Sequence, residues 1–176
     1  MIDSLPRLRV LVVDDRRDGA DSTSVLLKMY GCETVVCYDA ETAFATTLRF
    51  KPDVCLIDLN MPNTGGCELA ARLRAWGREP VRLIAVTAYG SAAARRATSA
   101  AGFDLHIVIP VDWDELLDVL EALERELGRG GYIGTRRAEF SRAFEHAGPT
   151  EPDVTCPVVS FELVGRARRG ETDRPA

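Results

Sequence analysis

Five short apolar runs alternate along this chain with five longer stretches whose apolar residues recur at helical spacing, and that alternation predicts five strands and five helices. Arg9 to Val13 is the first run, of the kind that lies in a sheet covered on both faces. Asp18 can cap the helix that follows, with Val25, Leu26, Met29 and Tyr30 at helical spacing before Gly31 ends it. Thr34 to Cys37 is the second strand. Asp39-Ala40-Glu41 opens a helix carrying Ala43, Phe44, Thr47 and Leu48, and Pro52 stops it. Val54 to Ile57 is the third strand, ending at Asp58. Gly65-Gly66 loosens the loop before a helix over Glu68 to Ala75. Leu83 to Val86 forms the fourth strand, an Ala-rich helix spans Ala92 to Ala100, and Leu105 to Val108 is the fifth strand.

The last helix has the clearest pattern. Asp112 and Glu115 read as a capping box, and Trp113, Leu116, Leu117, Leu120, Leu123 and Leu127 mark one buried stripe opposite Asp118, Glu121 and Arg125. Five strand and helix units joined by short loops imply an α/β fold, a doubly wound parallel sheet with helices on both faces.

Past Leu127 the pattern changes. Gly128-Arg129-Gly130-Gly131 reads as a hinge, Arg136 to Ala147 as a short polar helix, Cys156 to Val164 as an isolated apolar strand, and Arg166 to Ala176 as a polar, disordered end. So few apolar groups seldom make an independent core. The division expected is a folded domain over 1–127 and a poorly structured extension over 128–176. Truncation at Leu127 should then cost only about 1 kcal/mol, a few degrees in melting temperature.

Composition narrows the function. At 46% hydrophobic and 28% charged the chain is globular, and a formal charge of −5 does not point to a nucleic-acid binder. The charge is uneven: up to Leu127 there are fourteen basic against twenty acidic side chains, and beyond it eight arginines against seven acids. Cys32, Cys37, Cys55, Cys67 and Cys156 form no Cys-x-x-Cys pair and have neither His106 nor His146 as a near neighbour, which argues against zinc. Cys37 and Cys55 lie within strand-like runs and read as small core residues, in keeping with reduced thiols and a cytoplasmic setting. No stretch of ~20 apolar residues and no leader pattern is present, so neither a membrane span nor a signal peptide is expected.

The chemistry sits at the strand ends. Asp14-Asp15, Asp58 and Thr87 each stand at the end of an apolar run, where parallel sheets bind ligands. Crowded carboxylates repel one another unless a divalent cation neutralises them, and hard oxygen ligands favour Mg²⁺.

Four segments, in order and at matching intervals, carry a family resemblance: Val10-Leu11-Val12-Val13-Asp14-Asp15; Leu56-Ile57-Asp58-Leu59-Asn60-Met61-Pro62; Ala85-Val86-Thr87-Ala88; and Gly102-Phe103-Asp104 leading to Pro110. From about Arg7 to Leu127 the chain resembles a receiver domain of two-component response regulators, of the chemotaxis single-domain type. The resemblance implies a flavodoxin-like sheet of order 2-1-3-4-5. It implies that Asp58 accepts a phosphoryl group, in-line attack by its carboxylate giving a readily hydrolysed acyl phosphate. It further implies that Asp15 binds Mg²⁺ directly, Asp14 through water or as a second carboxylate, and that Asp58 and the Asn60 carbonyl complete the protein ligands. The Asn60 side chain would tune the lifetime of the phosphoryl group. Thr87 would be the switch, its hydroxyl drawn to the phosphoryl oxygens, with helix capping read at Ser91 instead. His106 holds the place of a second switch residue, usually aromatic, and reads either as a rotating side chain or as a partly buried core histidine.

One position departs from the family. Ile109 stands before Pro110 where relatives carry a lysine, whose charge-assisted bond to the phosphoryl group is worth ~1.5–3 kcal/mol. A β-branched apolar side chain there would pack the crevice closed, while Arg16 and Arg17 offer substitute cations. Two functions follow. One is a stand-alone response regulator in a phosphorelay, not an enzyme beyond its own phosphorylation and dephosphorylation. It would take phosphate from a histidine kinase or phosphotransfer protein and dock a partner on the face of its fourth and fifth helices. The other is a degenerate receiver that signals by protein binding alone.

Overall fold

A computed structural model describes residues 7–77 and 81–145, with secondary structure but not side chains given for 143–145. Eleven elements follow in order: β1 (Arg9–Val13), α1 (Arg17–Met29), β2 (Glu33–Cys37), α2 (Ala40–Phe50), β3 (Val54–Asp58), α3 (Gly66–Trp76), β4 (Arg82–Thr87), α4 (Ala92–Ala101), β5 (Leu105–Val108), α5 (Trp113–Glu126) and α6 (Tyr132–Glu145). The strands form one parallel sheet in the order β2-β1-β3-β4-β5, as expected.

Because successive strand residues face opposite ways, the apolar runs feed two cores. Val10, Val12, Val54, Leu56, Ile84, Leu105 and Ile107 face α1 and α5. Leu11, Val13, Cys55, Ile57, Leu83 and Ala85 face the opposite layer, built from α2 and α3. Local signals set most boundaries. Asp39 accepts the N–H of Thr42, Ser91 that of Ala94, and Asp112 those of Asp114 and Glu115, each opening a helix.

Two expectations are corrected here. Asp18 does not cap α1: Arg16 is the N-cap residue and makes no side-chain cap bond, and Asp18 lies in the first turn, where an acid favours the helix dipole. The inward face of α1 is also phased differently. Ala20, Ser24 and Leu27 are buried, whereas Val25 and Met29 are 56% and 47% exposed. Ser24 satisfies its buried hydroxyl against Thr34 of β2 at 2.6 Å, so a polar pair occupies the interior where an apolar pattern would be sought.

The core does not stop at Leu127. Ile133 of α6 is fully buried in the cluster that contains Leu8, Leu27 and Cys32. Glu124, on the last turn of α5, is 1% exposed, and its carboxylate accepts the N–H groups of Tyr132 and Ile133 at 2.9 and 3.2 Å. These are orphan donors of the first turn of α6, so a remote acid supplies the cap. Arg129 pairs with Asp53, and Arg137 with Asp114 and Asp118. Gly31 takes φ +90°, and a Cβ there would lie 2.6 Å from Cβ of Tyr132, so glycine is required both by the turn and by the docked helix. The helix expected over Arg136 to Ala147 therefore begins four residues earlier and packs against the domain. The strand expected at Cys156 to Val164, the polar end from Arg166, Cys156 and His146 all lie outside the described residues.

Candidate functional site

The sheet order brings the strand ends together. β3 lies between β1 and β4, with Val13 level with Ile57 and Asp58 level with Val86, so Asp58 emerges between the acid pair after β1 and Thr87 at the end of β4. The winding direction reverses between β1 and β3, which opens the crevice at that point. Asp14, Asp15 and Asp58 each offer a carboxylate oxygen there, all within 4.8 Å of one another.

The surrounding loops hold this cluster closely. The N–H of Arg16 donates to Asp14 Oδ1 at 2.8 Å. A Cβ on Gly66 would come within 2.3 Å of the Asp58 carbonyl oxygen, so only glycine lets α3 start this near the end of β3. A cavity of about 50 Å³ runs beneath the site, lined by Asp14 and Asp58 with Thr23, Val86, Val111 and Trp113 among others.

The electrostatics are uncompensated. Burial pushes the Asp58 carboxyl above its ordinary value, and the nearby Asp14 and Asp15 push it further, while the backbone N–H groups of Asn60 and Leu59 act in the opposite direction. Among the described residues no arginine, lysine or histidine forms an ion pair with Asp14, Asp15 or Asp58. Arg17 is stacked over the ring of Tyr38 at 4.2 Å, and Arg16 is exposed. A cluster of hard oxygen donors with no cationic side chain paired to it among the described residues fits a divalent ion of the Mg²⁺ type.

Thr87 is fully buried, and its Oγ1 accepts the N–H of Tyr89 at 3.2 Å. His106 is 2% exposed, with Nδ1 3.0 Å from Thr98 Oγ1 and Nε2 2.8 Å from the Tyr89 carbonyl oxygen. Of the two readings of this histidine, the geometry is that of a buried core residue. Burial, and the nearby charge of Arg95, hold its pKa below the ordinary value. Ile109 does not close the crevice. Its side chain is 43% exposed, its N–H donates to the Thr87 carbonyl at 2.9 Å, and the bond to Pro110 is cis.

The sequence reading missed Glu124, Tyr89 and Thr98. Glu124 had a signal: it lies four residues past Leu120 and seven past Leu117, in phase with the buried stripe. Tyr89 acts through its backbone N–H and C=O, which no side-chain pattern reveals. Cys55 is wholly buried, and desolvation pushes its thiol up to about 12, so it is held as the unreactive thiol. No described helix is long and apolar enough to cross a membrane.

Comparison with known proteins agrees with this geometry. The family model for the response regulator receiver domain matches residues 10–121. The sensory transduction protein RegX3 of Mycobacterium tuberculosis is 33% identical over 151 residues, covering 86% of this chain and 63% of its own. The chain thus spans less than two thirds of that relative's length. An uncharacterised 14.6 kDa protein of Leptolyngbya boryana is 32% identical over 119 residues, 67% of this chain and 91% of its own. Among solved structures, a CheY-like receiver domain protein of Methanospirillum hungatei superposes with a TM-score of 0.61 at 30% identity, over 70% of this chain and 99% of its own. Chemotaxis protein CheY4 of Vibrio cholerae gives 0.63 at 25% identity, over 66% and 98%. Sheet order, crevice and family match converge, and the chain belongs to the response regulator receiver domain family of two-component signalling.

Proposed function

We propose that this receiver domain accepts a phosphoryl group on Asp58 from a histidine kinase or phosphotransfer protein and reports it through Thr87. The observation that carries the reading is the cluster of three carboxylates within 4.8 Å, with no cationic side chain paired to it among the described residues. Asp14, Asp15, Asp58 and the Asn60 carbonyl are the groups that would hold Mg²⁺, which when bound supplies positive charge to an incoming phosphoryl group. Asp58 then acts as nucleophile: a carboxylate oxygen forms the new bond to phosphorus as the donor's nitrogen or oxygen leaves with its electron pair. Desolvation makes the Asp58 carboxylate more basic and so a better nucleophile, while the backbone N–H groups of Asn60 and Leu59 act against this by stabilising its charge.

Ile109 supports a second reading. With no ammonium at this position, the phosphoryl dianion lacks a charge-assisted bond worth ~1.5–3 kcal/mol, and a domain that binds partners without being phosphorylated is the alternative. Incubation with acetyl phosphate, with and without Mg²⁺, followed by intact mass measurement separates the two. The expected result is slow, Mg²⁺-dependent addition of one phosphoryl group that Asp58→Asn abolishes and Ile109→Lys accelerates. No addition to either the wild type or Ile109→Lys would favour the binding module.

A further inference from the structure

A groove of about 560 Å³ opens along one flank of α5, beside the edge strand β5. Ile84, Leu105, Val119, Ala122 and Leu123 make its floor, an apolar surface in the size range of ligand clefts. Its rim is acidic: Asp104, Glu115, Asp118 and Glu126 stand there with one arginine, Arg82. Arg82 is taken up by Glu126 and Asp104, and Asp118 by Arg137. Glu115 has no ion pair among the described residues, and its Oε2 is buried with no hydrogen-bond partner there. A buried oxygen of this kind costs free energy until a donor reaches it.

The chain itself supplies a fitting occupant. α6 lies antiparallel on the adjacent flank of α5, since Tyr132 and Ile133 meet Glu124 while Arg137 reaches back to Asp118 and Asp114. Residues 146–176 follow it. Among them, Val159-Ser160-Phe161-Glu162-Leu163 alternates, so an extended chain sets Val159, Phe161 and Leu163 on one face. Arg166, Arg168 and Arg169 come shortly after. The lengths agree. Five extended residues cover about 16 Å, and so does α5 from Glu115 to Glu126. Residues 146–155 can span up to about 33 Å, roughly three times the ~10–12 Å width of the helix to be crossed.

We propose that residues 158–169 of this chain fold back into the groove, with Val159, Phe161 and Leu163 on its floor and Arg166, Arg168 and Arg169 among the rim acids. Apolar burial and opposite charge act together in this arrangement. The rim carries four acids to one base, and the segment carries three bases to one acid, Glu162. A donor from the segment would also satisfy Glu115 Oε2. The contact is independent of the phosphoryl reading of Asp58. It gives the extension a role at the surface of the domain, because a protein that docks on this flank of α5 must first displace the segment.

A nitroxide label on Cys156 of the full chain tests this by nuclear magnetic resonance. Cys32, Cys37 and Cys55 are buried, and Cys67→Ser removes the half-buried thiol. In ¹⁵N-labelled protein that carries the nitroxide, the amides of Leu105, Val119 and Ala122 should lose intensity relative to the reduced, diamagnetic label. In a mixture of unlabelled-spin ¹⁵N protein with nitroxide-bearing ¹⁴N protein they should not. Phe161→Asp with Leu163→Asp should restore the intensity. So should Ala122→Arg, which plugs the groove from an exposed position on α5. Arg166→Gln, Arg168→Gln and Arg169→Gln together should restore it in part, and added salt should do the same to the wild type. The amides of Val12 and Leu56, on central strands, should keep their positions in every variant and so report an intact fold. Full intensity at the groove in the spin-labelled wild type would overturn the proposal, as would a loss that Phe161→Asp with Leu163→Asp leaves unchanged. Loss in the mixed sample would overturn it in favour of a second copy's segment in the groove.

Discussion

Asp58 concentrates the electrostatic cost of the site in one side chain, and the sign of that cost is measurable. A carboxyl whose folded pKa lies above its unfolded value holds its proton longer in the folded chain, so stability falls as pH rises through the interval between the two. Asp58→Asn should therefore melt at a higher temperature than the wild type at pH 7 in chelator, and the advantage should vanish below the ordinary carboxyl value of 3.8. Melts at several pH values that show no gain at neutrality would contradict the uncompensated cluster. His106 works with the opposite sign. Its folded pKa is depressed, so the unfolded chain takes up the proton first, and stability should decline as pH falls through the ordinary value of 6.5 toward the depressed one. His106→Gln should flatten that part of the pH profile in urea denaturation, and an unchanged slope would mean that the ring is not held neutral. Ile109 shows how exposure decides a cost that residue type alone suggests: at 43% exposure, Ile109→Lys should change stability by no more than about 0.5 kcal/mol.

At the scale of elements, α1 and α6 carry the main departures from the pattern. The apolar residues Val25 and Met29 suggest an inward face for α1, yet the sheet takes the face of Ala20, Ser24 and Leu27. Ser24 and Thr34 satisfy each other, so the interior accepts two hydroxyls and leaves the larger apolar side chains outside. Several phases of a short helix can look amphipathic, and only its partner chooses among them. In α6 the deeply buried Ile133 is joined by a distant carboxylate cap at Glu124 and the ion pairs of Arg129 and Arg137. Ile133→Ala should cost about 2–4 kcal/mol in urea denaturation, whereas Val25→Ser should cost about 0.5 kcal/mol or less. Equal effects would mean that α6 adds nothing to the core. The same packing revises the expectation for truncation at Leu127: it would remove Ile133 from the core, uncover the apolar surface that Ile133 covers and take Arg129 away from Asp53, a larger loss than about 1 kcal/mol.

Across the whole molecule, the sheet order makes a site from residues far apart in sequence, and Trp113 provides a view of it. This tryptophan lines the small cavity shared with Asp14 and Asp58, while Trp76 is 39% exposed and lines a different cavity, with Thr47, Pro52 and Val81. In a Trp76→Phe background, titration with Mg²⁺ should change the Trp113 emission saturably, and Asp15→Asn should weaken the apparent affinity. A flat titration would remove the case for a cation at these carboxylates. The sequence by itself determined the alternation of elements, the strand ends that bear Asp14, Asp15, Asp58 and Thr87, and the absence of the lysine at Ile109. Those features are local: a period, a cap or a residue identity is written within a few positions. Tertiary structure alone decided the phase of α1, the exposure of Ile109, the docking of α6 on Glu124 and the line from Thr87 through Tyr89 and His106 to Thr98. Each depends on which surface meets which, or on a backbone N–H and C=O that every residue other than proline possesses, and such groups acquire a role only when the fold sets a partner 3 Å away.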